Sequence, residues 1–182
     1  MLAPTLDSVL NGLDAEDSRT PPLDKWHPEL SGDIDIRIDA SGVWFHLGGE
    51  IKRQALVNLF ASILRREDDG EYYLVTPVEK WRIRVERLPL VIVGMDVEEG
   101  ARGPSLVFTT NTSSRVPLDR DHPIKLIEQA EGGPVPAVDV RHGLQALISR
   151  SVYYRLAERV EPHLDTGVLG VVSGGNHFAM EL

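Results

Sequence analysis

Between residues 72 and 110 the chain contains four short segments with the composition of β-strands, and this succession limits the fold more than any other feature. The segments are residues 72–76, 78–85, 90–97 and 105–110. The connections between them are Pro77, residues 87–89 and residues 98–104, which are too short to hold the helix of a parallel crossover. We therefore expect these segments to pair as antiparallel hairpins.

An earlier segment alternates apolar and charged residues with a period of two. Ile34, Ile36 and Ile38 are separated by charged residues, which is typical of a half-buried strand. A second strand is predicted over residues 43–47. An apolar stripe with helical spacing follows at Leu56, Leu59, Phe60, Ile63 and Leu64. We expect this helix to end at residues 68–70, where Gly70 can adopt the left-handed conformation of a helix terminus.

A similar succession returns in the second half of the chain. The patterns predict strands over residues 124–128 and 135–141, a helix over 144–156 and a strand over 167–172. A shift of 88 residues places Arg53, Leu56 and Leu59 on Arg141, Leu144 and Leu147. The sequence thus predicts an α+β protein with mostly antiparallel sheets and a duplicated strand-strand-helix-strand motif.

The same patterns divide the chain into three parts. Residues 1–25 are predicted to be an N-terminal helix and linker, because apolar residues from Leu6 to Leu13 have helical spacing and two prolines follow at 21 and 22. Residues 26–86 form a predicted N-terminal domain, and residues 87–182 form a predicted C-terminal domain.

The composition excludes several classes of protein. Nineteen lysine and arginine residues against 28 aspartate and glutamate residues give a net charge of -9, so we expect no nucleic-acid polymer and no acidic membrane as partner. The chain has no cysteine and no secretion signal, and we expect it to be cytoplasmic. It contains no phosphate loop, dinucleotide fingerprint or zinc-protease motif, so the sequence predicts neither a cofactor nor a catalytic residue.

The segment that begins at Glu79 combines cations with an aromatic residue. In a strand, Lys80, Arg82 and Arg84 lie on one face at intervals of about 6.5 to 7 Å, and we call them the cationic row. Glu79 and Trp81 lie on the opposite face. Guanidinium groups bind oxyanions through two parallel hydrogen bonds, which makes the row a candidate site for a small anion. The alternative is a solvated face whose cations pair with acids on neighbouring strands.

A second candidate lies where a predicted strand leads into a predicted helix. Arg141 precedes His142 and Gly143 there, and Arg150 follows further along. The backbone N–H groups at the start of a helix, flanked by arginines, would hold an anion. The alternative is that these residues only form a turn and a helix cap.

The nearest approach to a metal cluster is Asp119 with Asp121 and His122. The turn interpretation is favoured over metal binding. An aspartate that bonds its own backbone, followed by Pro123, is typical of a turn that leads into a strand.

Several motifs, taken in order, resemble the bacterial family catalogued as domain of unknown function 1285. They are residues 29–38, 44–46, 73–83, 121–123, 143–144 and 146–150. The resemblance covers residues 27–175, and Ser151 departs from it where a proline is expected. It implies a two-part α+β body built from a duplicated motif, with a second half loosely like pleckstrin-homology folds. It also implies a cleft between the halves that holds a nucleotide-like ligand, and a role in signalling.

Matched residue by residue, the resemblance and the charge pattern give the candidate ligand-binding residues Glu79, Lys80, Trp81, Arg82, Arg141 and Arg150. The cations would hold phosphate and Trp81 would supply a stacking face. The leading hypothesis is therefore a module that binds a small anionic, nucleotide-like molecule. The alternatives are a protein-interaction scaffold without a small ligand and, with less support, a phosphoester hydrolase.

Overall fold

A computed structural model describes residues 21–129 and 133–180 of the chain. The chain divides into two units, Met1–Glu86 and Arg87–Leu182. The helix predicted around Leu6 to Leu13 lies outside the described residues. Within the described part of the chain, no helix has the length and apolar character that crossing a membrane requires. A cytoplasmic location stays a prediction.

The first unit is built on one six-stranded sheet. Its strands are β1 (Leu30–Ile38), β2 (Trp44–His46), β3 (Gly49–Glu50), β4 (Leu64–Arg66), β5 (Tyr72–Val75) and β6 (Lys80–Val85). They lie in the order β3-β2-β1-β6-β5-β4. Helix α1 (Gln54–Ser62) connects β3 to β4, and a short 3-10 turn at Leu23–Lys25 precedes β1.

The predicted alternation in β1 is confirmed. Ile34, Ile36 and Ile38 are buried, while Asp33 and Asp35 are exposed and Arg37 is half-buried. On α1, Phe60 is fully buried and stacks on Trp44 with ring centroids 6.2 Å apart. The apolar face of the sheet and the apolar stripe of the helix therefore form one core.

The predicted helix ends earlier than its apolar spacing indicates. It stops at Ser62, and Leu64–Arg66 is strand β4, which pairs antiparallel with β5. Gly70 has a φ of 84°, but it lies in the turn between β4 and β5 rather than at a helix terminus. The helix prediction is wrong over residues 63–66 because Leu64 is buried as a strand residue opposite Leu74.

The second unit contains a six-stranded sheet with the same connectivity. Its strands are β7 (Leu90–Gly100), β8 (Gly103–Thr110), β9 (Arg115–Pro117), β10 (Ile124–Ile127), β11 (Val135–Arg141) and β12 (Leu144–Ile148). Their order is β10-β11-β12-β7-β8-β9. As in the first sheet, the first and sixth strands of the unit pair at the centre, and the strands that neighbour each of them in sequence extend outward to the two edges. In both sheets two three-stranded meanders meet at a central pair.

The central pair is parallel in each sheet, β1 with β6 and β12 with β7, so the sheets are mixed. The other strand pairs of the described residues are antiparallel. The hairpin expected between β6 and β7 is wrong, because these strands lie in different sheets. The duplicated motif and the likeness of the second half to pleckstrin-homology folds stay predictions.

The helix predicted over residues 144–156 is correct only in its second part. Helix α2 covers Arg150–Ala157, whereas Leu144–Ile148 is strand β12. Leu144, Ala146 and Ile148 are buried and the residues between them are half-buried, which is a period of two. The shift by 88 residues therefore places helix α1 on a strand, and that alignment is wrong.

A three-stranded antiparallel sheet completes the second unit. Its strands are β13 (Glu161–Pro162), β14 (Leu169–Ser173) and β15 (Asn176–Ala179), in the order of the sequence. The side chain of His177 extends over Gly170, because a Cβ atom at that glycine would lie 2.5 Å from His177 Cε1. The His177 ring thereby reaches the backbone oxygen of Glu161 on β13, at 3.2 Å from Nε2.

Candidate functional site

The cationic row occupies one face of β6, as predicted, and each of its cations is ion-paired within the first unit. Lys80 pairs with Glu67, Arg82 with Asp33 and Arg84 with Asp35. The alternative interpretation of the row, cations paired with acids on neighbouring strands, therefore describes Arg82 and Arg84, whose partners lie on β1, whereas the partner of Lys80 lies in the turn between β4 and β5. The three pairs differ in how far they are exposed to solvent.

The two pairs at the C-terminal end of the row join β6 to β1. Arg82 donates to Asp33 from Nε at 2.7 Å and from Nη2 at 3.2 Å, and Arg84 donates to Asp35 from Nη2 at 2.7 Å. The bidentate bond from Arg82 lowers the pKa of Asp33 and raises that of Arg82. Asp33 is thus a carboxylate at neutral pH.

Lys80 belongs to a more enclosed network. Its Nζ donates to Glu67 Oε2 at 2.8 Å and lies 4.9 Å from the centroid of the Tyr73 ring. Arg65 donates to the other oxygen of Glu67 at 2.5 Å. Burial raises the pKa of Glu67, but the hydrogen bonds from Lys80 and Arg65 outweigh it and leave the pKa below its usual value.

Arg65 also anchors the segment before β1. Its Nη1 donates to the backbone oxygens of Leu23 and Trp26, at 2.9 and 3.0 Å. Leu23 itself is fully buried. The residues around the 3-10 turn are therefore held against the sheet by one guanidinium group and one apolar side chain.

Tyr73 and Asp69 form a neighbouring polar contact. The Tyr73 hydroxyl donates to Asp69 Oδ2 at 2.7 Å, and the ring is buried. This bond to the carboxylate raises the pKa of Tyr73 to about 12 and lowers that of Asp69. The phenol is therefore a fixed hydrogen-bond donor at neutral pH.

Glu79 and Trp81 lie on the opposite side of β6 from the cationic row. The indole Nε1 of Trp81 donates to Glu79 Oε2 at 3.1 Å. A Cβ atom at Gly32 would lie 3.3 Å from the Trp81 ring, so the indole packs directly against the β1 backbone. The Glu79 carboxylate therefore satisfies an indole N–H, and both residues lie outside the groove described next.

A groove of about 620 Å³ opens along β1, β5 and β6. Its lining consists of Asp33, Ile34, Asp35, Gly70, Glu71, Tyr72, Arg82, Ile83, Arg84 and Val85. Of the six predicted ligand-binding residues, Arg82 lines this groove. Its volume lies within the range of about 300 to 1,000 Å³ that is typical of small-molecule sites.

The other two predicted residues lie in the second unit. Arg141 is the half-buried last residue of β11, where burial lowers the pKa of its guanidinium group. His142 and Gly143, both with positive φ, turn the chain into β12. Arg150 is exposed and begins α2. The strand predicted to lead into a helix at Arg141 leads into a second strand instead.

Asp119 forms the turn that the sequence indicates. Its Oδ1 accepts hydrogen bonds from the backbone N–H groups of Asp121 and His122, each at 3.0 Å, and contacts His122 Nδ1 at 2.8 Å. Residues 21–129 and 133–180 contain no group of three or more histidine, aspartate or glutamate side chains placed to hold a metal ion.

The sequence did not identify the acidic partners Asp33 and Asp35 as part of a site. The available signal was the alternation of acids on β1, which matches the alternation of cations on β6. The parallel register that faces Asp33 with Arg82, 49 residues away, does not follow from either pattern alone.

Comparisons with known proteins give consistent results. A family model described as domain of unknown function (DUF1285), N-terminal domain, matches residues 21–88. A second, described as protein of unknown function (DUF1285), C-terminal domain, matches residues 89–180. No curated protein matches the chain.

Two crystal structures are similar to this chain. One is a DUF1285 family protein from Silicibacter pomeroyi DSS-3, with 39% identity and a TM-score of 0.84 over 99% of this chain and 96% of that chain. The other is a DUF1285 family protein from Shewanella baltica OS155, with 31% identity and a TM-score of 0.54 over 68% of this chain and 90% of that chain.

Proposed function

The chain belongs to the DUF1285 family, and we propose that this protein is a binding module for a small ligand that carries an oxyanion, a class that includes nucleotides. The proposed site is the groove of the first unit. The observation that carries the proposal is the position of two guanidinium groups, from Arg82 and Arg84, along a groove of small-molecule size.

Arg84 is the principal anchor of the proposed site. A guanidinium group has five N–H donors, and Arg84 donates one hydrogen bond within the described residues, to Asp35. Its side chain is 72% exposed. Arg84 can therefore donate two parallel hydrogen bonds to a phosphate or carboxylate while its bond to Asp35 persists.

Engaging this end of the row costs little energy. Water screens exposed ion pairs, which therefore contribute little to stability, so the exposed pairs of Arg82 and Arg84 can rearrange around a ligand. Lys80 differs, because its side chain is 17% exposed and packs over Tyr73. The two arginines are therefore better placed than Lys80 to exchange a partner.

Tyr72 also lines the groove. It is opposite Ile83 in the antiparallel register, so its half-buried ring lies on the other face of the sheet from the two arginines, where the Arg66 guanidinium group packs 5.4 Å from the ring centroid. Arg141 and Arg150, in the second unit, stay predictions as ligand-binding residues, as do Glu79, Lys80 and Trp81.

The proposal is tested by thermal unfolding of the full chain with small oxyanions. The probes are inorganic phosphate, adenosine monophosphate and the standard amino acids. At a hundredfold excess over its dissociation constant, a bound probe stabilises the folded state by about 2.7 kcal/mol. We expect at least one probe to raise the melting temperature, and Arg84→Ala to remove that increase.

Arg53→Ala is the matched control. Arg53 is an exposed arginine of the same unit that lies outside the groove, so its loss should leave the shift unchanged. The proposal fails if no probe shifts the melting temperature of the wild type, or if the shift persists in the Arg84→Ala variant.

A further inference from the structure

The groove of the first unit contains acids as well as cations. Asp33, Asp35 and Glu71 line it together with Arg82 and Arg84, so three carboxylates face two guanidinium groups. A ligand with only negative charges meets more carboxylates than cations there. Repulsion from the carboxylates opposes such a ligand, whereas a positive group on the ligand would be attracted to them.

The two kinds of charge are separated by strand. The aspartates lie on β1 and the arginines lie on β6, and Asp33 is directly opposite Arg82 in the register of this parallel pair. Adjacent strands are about 4.8 Å apart. A small ligand that lies across the two strands therefore meets acids at one end and cations at the other.

The aspartates retain capacity to accept further hydrogen bonds. An ionised carboxylate offers about four acceptor positions, and within the described residues Asp35 accepts one side-chain bond while Asp33 accepts two. Their side chains are 48% and 67% exposed. Because the pKa of Asp33 is lowered by its bond from Arg82, this residue stays ionised as the pH falls toward its ordinary value.

Building on the proposed function, we infer that the groove binds a small zwitterion of the amino-acid class, with its carboxylate on Arg84 and Arg82 and its ammonium group on Asp35 and Asp33. The ammonium group supplies three donors to the aspartates, and the carboxylate accepts in parallel from a guanidinium group. The four charges of the two exposed ion pairs and the two charges of the ligand then form one arrangement in which each protein charge has a ligand charge as a second partner.

The inference is tested by calorimetric titration of the full chain. The probes are the standard L-amino acids, and each amino acid that binds is compared with the carboxylic acid that lacks its amino group. Adenosine monophosphate is titrated in parallel. We expect at least one amino acid to bind at least tenfold more tightly than its deaminated counterpart, because only the amino acid engages the aspartates.

Substitutions locate the ammonium site. Asp35→Asn should reduce the tenfold preference to less than threefold, and Asp33→Asn provides an independent second variant. Asp68→Asn is the control, since Asp68 is an exposed acid of the same unit outside the groove lining, and it should retain the preference.

The outcomes separate this inference from the proposed function. If adenosine monophosphate or the deaminated acids bind as tightly as the amino acids, and Asp35→Asn strengthens their binding, the groove binds oxyanions and the zwitterion inference is wrong. If no probe binds, both are wrong. A preference for amino acids that survives both aspartate substitutions also overturns the inference.

Discussion

Arg65→Met should destabilise the first unit far more than the same substitution at Arg84. Arg65 is 13% exposed and makes three hydrogen bonds, two to backbone oxygens of the segment before β1 and one to Glu67. Methionine fills a similar volume but donates nothing. Both oxygens lose the Arg65 donor, although the Leu23 oxygen still accepts from the Trp26 backbone N–H, and among the described residues Glu67 keeps only Lys80 as a cationic partner.

The expected loss follows from the number and burial of these bonds. A hydrogen bond to a charged group contributes about 1.5 to 3 kcal/mol, and the contributions of one side chain are not additive, so we expect a loss of about 3 kcal/mol. Arg84→Met removes one bond from a side chain that is 72% exposed. That loss should stay below about 1 kcal/mol.

Urea unfolding followed by tryptophan fluorescence measures both variants. All three tryptophans, at positions 26, 44 and 81, lie in the first unit, so this signal reports its unfolding. The reasoning is refuted if Arg65→Met lowers the free energy of unfolding by the same amount as Arg84→Met, or by less.

Three further predictions concern packing, backbone conformation and pH. Gly170→Ala should lower the melting temperature, with an overpacking cost of about 1 to 3 kcal/mol, because the new Cβ would lie 2.2 Å from the backbone oxygen of Phe178. Gly94→Ala is the matched control, with ordinary contacts from 3.5 Å, and an equal loss there would contradict the packing argument. Leu47→Asn should stabilise the protein by about 0.5 to 1 kcal/mol, measured by chemical denaturation. Leu47 is 72% exposed and has a φ of 48°, a backbone conformation that asparagine tolerates better than leucine. A loss of stability in this variant would contradict the backbone argument. The pKa of Glu67 is lowered in the folded state, so its contribution is present above the unfolded value near 4.5 and is lost as the pH falls through the folded pKa. Between neutral and acid pH, the free energy of unfolding should therefore fall less steeply in the Glu67→Gln variant than in the wild type. Identical pH profiles for the two proteins would contradict a stabilising role of the Glu67 carboxylate.

Segments with one clear period could be predicted from the sequence. The alternation around Ile36 gives β1, and the apolar stripe that includes Phe60 gives α1. Both follow from local geometry, because one face of each element is buried and the other is not.

Short apolar runs could not be assigned in the same way. Leu144, Leu147 and Ile148 fit helical spacing, but the first and last are buried on one face of β12 and α2 begins at Arg150. Leu64 likewise extends the stripe of α1 but belongs to β4. The spacing of apolar residues over four or five positions does not distinguish a helix from a strand. Pairing with a strand that is distant in sequence decides between the two conformations.

The cationic row could be predicted from the sequence, but its partners could not. Lys80, Arg82 and Arg84 share a face because they alternate on a strand. The pairing of Arg82 and Arg84 with aspartates depends on the parallel register of β1 and β6, which includes an irregularity between Asp33 and Arg37, and Lys80 pairs with Glu67 in the turn between β4 and β5. Register over so long a sequence separation is set by the packing of the whole sheet.

The central claim is that guanidinium groups in the groove of the first unit hold an oxyanion. The most direct measurement is a nuclear magnetic resonance titration of the arginine side-chain Nε–Hε signals with each probe that raises the melting temperature. We predict saturable shifts for Arg84 and Arg82, with the Arg53 signal unchanged. Unchanged Arg84 and Arg82 signals, or equal shifts at every exposed arginine, would contradict the claim.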